Sequence, residues 1–256
     1  MHRIKAFTIR NIKELSRDPL SYIFCLGFPI IMLIVMTLVN ESIPAESGIT
    51  IFRIDNLAGG IAIFGQTFTM LFTALNVSKD RNNSFLVRIY ASPMKPADFV
   101  CGYILPMLII SIVQTFISFS VSFIISLIND VHINISGLLM TLITLIPSAV
   151  MFISLGLLFG TILSEKSAPG LCAVIISLGS FFGGIWFDAE STGGIMLKIC
   201  KALPFYYCTK NARSSIALSF ELDEFISPLI ITTVYGTAIA VISSIAFKSK
   251  MKADLS

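Results

Sequence analysis

Residues 56–78 read NLAGGIAIFGQTFTMLFTALNVS, 23 positions without one Asp, Glu, Lys or Arg. A helix crossing a hydrocarbon core about 30 Å thick needs roughly 20 apolar residues, so this stretch is long enough to span. Five more uncharged runs surround it: Pro19 to Asn40, Phe99 to Asn129, Val131 to Ser164, Ser167 to Phe187 and Phe225 to Phe247. The six runs take up 154 of 256 residues and confine all 33 charged residues to the other 102. Composition agrees: 13 % of the residues are charged, about half the soluble average of ~25 %. The runs are continuous rather than alternating and outlast a barrel strand of about 10 residues, which selects helices. The expected fold is an all-α membrane protein with six transmembrane helices in a single domain, residues 1–256. The spans are expected at about 20–39, 57–77, 99–127, 135–163, 168–187 and 225–247.

The segments between the runs set the orientation. Lys and Arg on alternate sides divide 13 to 5, the larger count falling with the amino terminus. Cytoplasmic loops carry that excess, so both termini are expected in the cytoplasm of a bacterial plasma membrane. The +3 net charge then reports topology and gives no reason to expect nucleic acid. The first 18 residues lack the form of a cleavable signal. Ile4, Phe7, Ile12 and Leu15 fall near one helical face, as in a helix lying on the membrane surface before the chain turns in at Asp18-Pro19. Pro147 is expected to bend the fourth span, because proline removes a backbone donor. The outer segment from Asp188 to Glu224 mixes charges with apolar patches, and short re-entrant helices in the outer leaflet are expected there, sheltered by protein. Cys200 and Cys208 lie in that segment and could form a disulfide or serve as small packing residues.

The chain has no G-x-x-x-x-G-K-[ST] loop for ATP, no H-E-x-x-H and no cysteine spacing suited to a metal. No charged residue occupies the middle of a run, which argues against an ion-coupled carrier. A membrane protein without an energy-binding motif or intramembrane charge draws its energy from a partner. Gln66, Asn76 and Gln114 are candidate path-lining groups, or else hydrogen bonds between helices. Gly156 and Gly160, and Gly179 and Gly183, have the i, i+4 spacing that allows close helix approach, within the chain or across a dimer.

The inner loop from Ser78 to Lys95 is the most informative. After Asn82, Asn83 or Ser84 as a cap, Phe85, Leu86, Ile89 and Tyr90 form the apolar face of a short helix. Pro93 stops it by pushing Ser92 out of the helical region. Such a helix suits a partner's groove. The Asp80-Arg81 pair, the helix over Phe85 to Tyr90, Ser92-Pro93, and the later Phe99 to Pro106 with Gln114 resemble the type-2 ABC exporter permease family. Gly183 to Phe187 and Leu203-Pro204-Phe205 resemble it too, and the likeness covers the whole chain. Where many members have Glu-x-Gly-Thr, this chain has Arg81-Asn82-Asn83-Ser84.

The resemblance implies a transmembrane permease subunit that is not itself an enzyme. It would pair with a second copy or a related permease and with separate ATP-binding cassette subunits that hold ATP and Mg. Phe85, Leu86, Arg88, Ile89 and Tyr90 would dock into the ATPase, with Asp80, Arg81 and Pro93 shaping the loop. The helix over Ile4 to Leu15 would be a second contact, and the Gly179–Gly183 face a candidate for the dimer seam. A secondary transporter or channel, and a scaffold or immunity protein, are the other classes the residues allow.

Overall fold

The computed structural model describes residues 2–83, 86 and 95–253. Helix α1, His2–Leu15, precedes a rod, α2, in which Pro19–Tyr22 runs through the π-helical turn Ile23–Gly27 into Phe28–Ser42. Then come α3, Ile54–Asn82, and α4, Pro96–Ile128. A broken pair follows, α5 at Ile135–Thr144 and α6 at Ile146–Ile162, and then α7 at Ala168–Phe182. The outer segment holds α8, Ala189–Thr192, α9, Gly194–Ala202, and α10, Pro204–Ile216. The last rod, α11, Ser227–Ala253, grows out of the π-turn Leu222–Ile226.

Among the described residues, five helices are long and apolar enough to cross a membrane: Ile23–Ser42, Ile54–Asn82, Pro96–Ile128, Ile135–Ile162 and Leu222–Met251. Helix α7 is apolar but has 15 residues, about 22 Å at 1.5 Å per residue. It stops five residues before the end of its uncharged run. Gly184 there has φ +68°, Ile185 N–H donates to Ser180 O at 3.2 Å, and Gly184 N–H donates to Phe181 O at 3.0 Å. This is the Schellman ending, with glycine in the left-handed position. Hydropathy cannot register it, because Ile185-Trp186-Phe187 continue the apolar run beyond the helix.

Helix α3 is the axis of the bundle. Its apolar window is 94 % buried, against 22 % for α2 and for α11, and α2, α4, α6, α7 and α10 all pack on it. Its threonines are satisfied within the helix. Thr67, Thr69 and Thr73 hydroxyls donate to the carbonyls of Phe64, Gln66 and Thr69 at 2.6–2.7 Å, as hydroxyls three or four residues on can.

The fourth span breaks at Leu145, two residues before the expected Pro147, which takes the second position of α6. Proline suits that position because the first N–H groups of a helix have no partner inside it. Two buried side-chain amides cover the carbonyls at the break. Gln66 Nε2 donates to Leu145 O at 3.3 Å, and Asn211 Nδ2 donates to Thr144 O at 3.1 Å.

Candidate functional site

The end of α3 that leads into the 79–95 loop holds two adjacent residues of opposite charge. Successive helical side chains point about 100° apart, so Asp80 and Arg81 reach different neighbours. Asp80 is 3 % exposed and takes a two-pronged contact from Arg10 of α1, Nη1 to Oδ2 at 2.6 Å and Nη2 to Oδ1 at 2.7 Å. Tyr103 of α4 donates its hydroxyl to the same Asp80 Oδ2 at 2.7 Å. Charge-assisted paired contacts of this kind are stronger than neutral ones and fix orientation. Glu14 extends the network to Arg10 at 2.5 Å and to Lys79 at 3.4 Å.

Arg81 points toward α6. Its Nη1 donates to Gly160 O at 3.2 Å, Thr161 O at 2.5 Å and Leu163 O at 3.4 Å. A cation there satisfies carbonyls left over at a helix end and complements the helix dipole. Asn82 Nδ2 adds a bond to Glu165 Oε2 at 3.0 Å. A cleft of about 500 Å³ opens beside these contacts, lined by Ser78, Arg81, Asn82 and residues 162–165.

Beneath the charges lies an aromatic cluster. Phe7, Phe99, Tyr103 and Phe247 pack with Val77, Val100, Leu157 and Leu86. Phe7 meets Tyr103 edge-on at 5.1 Å, and Phe99 lies 6.1 Å from Phe247. The cluster thus joins α1, α3, α4, α6, α11 and the loop residue Leu86. Leu86, expected at the docking face, is instead 1 % exposed and enclosed by its own chain. Phe85, Arg88, Ile89, Tyr90 and Pro93 lie outside the described residues. Asn82 belongs to α3 and Asn83 ends it.

The buried stripe of α1 also differs from expectation. It runs Phe7, Asn11, Leu15, while Ile12 is exposed. Residues four apart share a face, and Asn11 earns its buried place by donating Nδ2 to Gly102 O at 2.8 Å. Reading only apolar residues skips Asn11. Arg10, Asn11 and Tyr103 are the site residues that the sequence left unassigned; the i, i+4 spacing through Asn11 was the one signal for them.

The candidate path residues divide. Gln66 is 1 % exposed; besides its bond to Leu145 it accepts from Ser148 Oγ at 2.7 Å. Gln114, also 1 % exposed, donates to Ser118 Oγ at 3.2 Å and packs on Gly65. Both serve contacts inside the bundle in this conformation. Asn76 is half-buried. The glycine pairs face inward as well. Gly156 and Gly160 of α6 meet the α3 backbone at Met70 and Ala74, and Gly179 and Gly183 meet Phe205 and Thr209 of α10.

At the opposite end of the bundle a polar cavity of about 250 Å³ is lined by Asn56, Asp188, Glu190, Tyr206, Lys210 and Arg213, among others. Arg213 donates Nε to Asn56 O at 3.1 Å, and burial pulls its guanidinium down to about 10. Glu190 accepts from Lys210 Nζ at 2.6 Å and from Tyr206 Oη at 2.5 Å. The Lys210 bond first, then the Tyr206 bond, hold its carboxyl below the usual value. The pairing is therefore fully stabilising above the unfolded pKa of about 4.3 and is lost as pH falls through the lower folded value. Melting curves at neutral and strongly acidic pH should converge for Glu190→Gln at the acid end; an identical acid response in both proteins would contradict this. Cys200 and Cys208 are buried free thiols.

The family model for the ABC-2 type transporter matches residues 2–217. The chain belongs to the ABC-2 type transporter family. No curated protein matches it. The family comprises the membrane permease part of ABC transporters rather than their ATPase, so this is a multi-pass membrane protein. The match runs from α1 through α10, so every residue that contacts Asp80 or Arg81 above falls within it.

Proposed function

We propose that the chain is the permease subunit of an ATP-driven ABC exporter and receives its power stroke through the 79–95 loop. The carrying observation is the Asp80–Arg81 junction: one helix end grips α1 and α4 on one side and the end of α6 on the other. A displacement of the loop would reach three further helices through short charged contacts, while Leu86 anchors the loop in the aromatic cluster. The apolar face of Phe85, Ile89 and Tyr90 would lie in the groove of a separate ATPase, which holds ATP and Mg.

In this reading α7 completes six spans by continuing through its Gly184 turn, and α8 to α10 are re-entrant helices in the outer leaflet. Residues 1–256 form one permease domain in the plasma membrane with both termini in the cytoplasm. A second copy or a related permease completes the path; the Gly179–Gly183 face expected at the seam is covered by α10 of its own chain. Gln66 and Gln114 become accessible only when the spans separate, whereas Asn76 is already half-buried.

The test is reconstitution with a partner ABC ATPase. Phe85→Ala combined with Tyr90→Ala should retain hydrolysis by the ATPase yet lose ATP-driven cargo flux. Unchanged flux in that variant, or full flux with an ATPase lacking its Walker lysine, would overturn the assignment.

A further inference from the structure

A second groove lies at the α1 end of the bundle, between the start of α4 and the last turns of α11. It encloses about 530 Å³, within the range of small-molecule sites. Small side chains open it: Ala97 and Cys101 on α4, Ala240 and Ser244 on α11. Val241 and Ile245 form its exposed apolar wall, at 58 % and 63 % exposure. Val100 lines the groove and also belongs to the aromatic cluster behind it.

Only the rim is charged. Lys95 and Lys248 both line it, and among the described residues neither is in an ion pair. The nearest carboxylate by sequence, Asp98, is occupied in accepting the Lys95 backbone N–H at 3.0 Å.

We infer that this groove binds an anionic phospholipid of the bilayer, with one acyl chain between α4 and α11 and the phosphate between Lys95 and Lys248. Two independent features point to this occupant. The walls are apolar and face outward from the bundle, where lipid is the neighbour. The two lysines, without an ion-pair partner among the described residues, stand at the end of that apolar strip, where a headgroup phosphate sits, and basic pockets between spans select anionic headgroups. A zwitterionic lipid would fill the walls equally well but would leave the lysines with less charge to neutralise.

The full chain is reconstituted in phosphatidylcholine vesicles containing a trace of diazirine-bearing phosphatidylglycerol, or of the matched phosphatidylcholine probe. Phosphatidylglycerol should label peptides spanning 97–101 and 240–245 preferentially. Lys95→Gln and Lys248→Gln should each lower that labelling about fivefold and leave the phosphatidylcholine signal unchanged. Ala240→Trp, which fills the groove, should abolish labelling by both probes without shifting the melting temperature of the protein. Equal labelling by the two lipids, indifference to the lysine changes, or labelling that survives Ala240→Trp would each overturn the site. Loss of phosphatidylglycerol labelling on adding inorganic phosphate would show a free-anion site instead, and would also overturn it.

Discussion

Gly156→Ala is expected to lower thermal stability sharply in detergent, and Gly156→Leu to prevent recovery of folded protein. A Cβ added at Gly156 would sit 2.2 Å from Met70 O and 2.7 Å from Thr73 Cβ. Both neighbours belong to α3, and one of them is backbone, so no side-chain rotation relieves the clash. Helices α3 and α6 must move apart, which opens a closely packed seam and strains the Arg81 contacts at the end of α6. Overpacking of this kind costs about 1–3 kcal/mol for a single methyl, and more for larger groups. Gly170→Ala is the control, because nothing lies within 4 Å of its added Cβ. In the first turn of α7 that change is expected to be neutral or stabilising by less than about 1 kcal/mol. Equal melting shifts for the two alanine variants would refute the role given to the seam.

Asp80→Ala should separate α1 from the bundle and disconnect ATP hydrolysis from transport. The carboxylate is buried, whereas Arg10 is about a third exposed, at 32 %. Breaking a buried pair costs about 3–5 kcal/mol, and partial solvation of Arg10 reduces this to roughly 2 kcal/mol. Arg10→Ala and Tyr103→Phe should each be less damaging in the absence of Asp80 than in its presence. Their double-mutant cycles with Asp80→Ala should give coupling energies of about 0.5–3 kcal/mol. Arg53→Ala provides the contrast, since its pairing with Asp55 is local and exposed and should be worth at most about 1 kcal/mol. The functional readout is flux per ATP hydrolysed. A loss of stability with that ratio unchanged would leave Asp80 as a packing group alone.

The sequence and the fold agree where the relevant property lies along the chain. The bend near Pro147, the start of α5 at Ile135 and the short helices after Asp188 were all legible, since proline geometry and the alternation of apolar and charged segments need no knowledge of neighbours. The Asp80-Arg81 pair was also legible as a feature, but not its partners. Arg10 is 70 positions from Asp80, and Thr161 is 80 from Arg81. Asn11 was missed because a polar residue on a buried stripe makes sense only once Gly102 O is found opposite it.

The amino-acid sequence alone determined that this is a helical membrane protein, roughly where its long apolar helices lie, and which loop carries the unusual charge pair. Water and lipid impose those outcomes residue by residue, through transfer free energy and backbone hydrogen bonding. Tertiary structure alone decided that Gly156 and Gly160 face α3, that Gln66 and Asn211 cover the broken span, that α7 stops at its glycine turn, and that Leu86 is buried. Inside a bilayer every helix face is similarly apolar, so hydropathy does not distinguish a lipid-facing side from a packed one. Close fit and scarce hydrogen-bond partners make that choice, and both exist only after the helices have met.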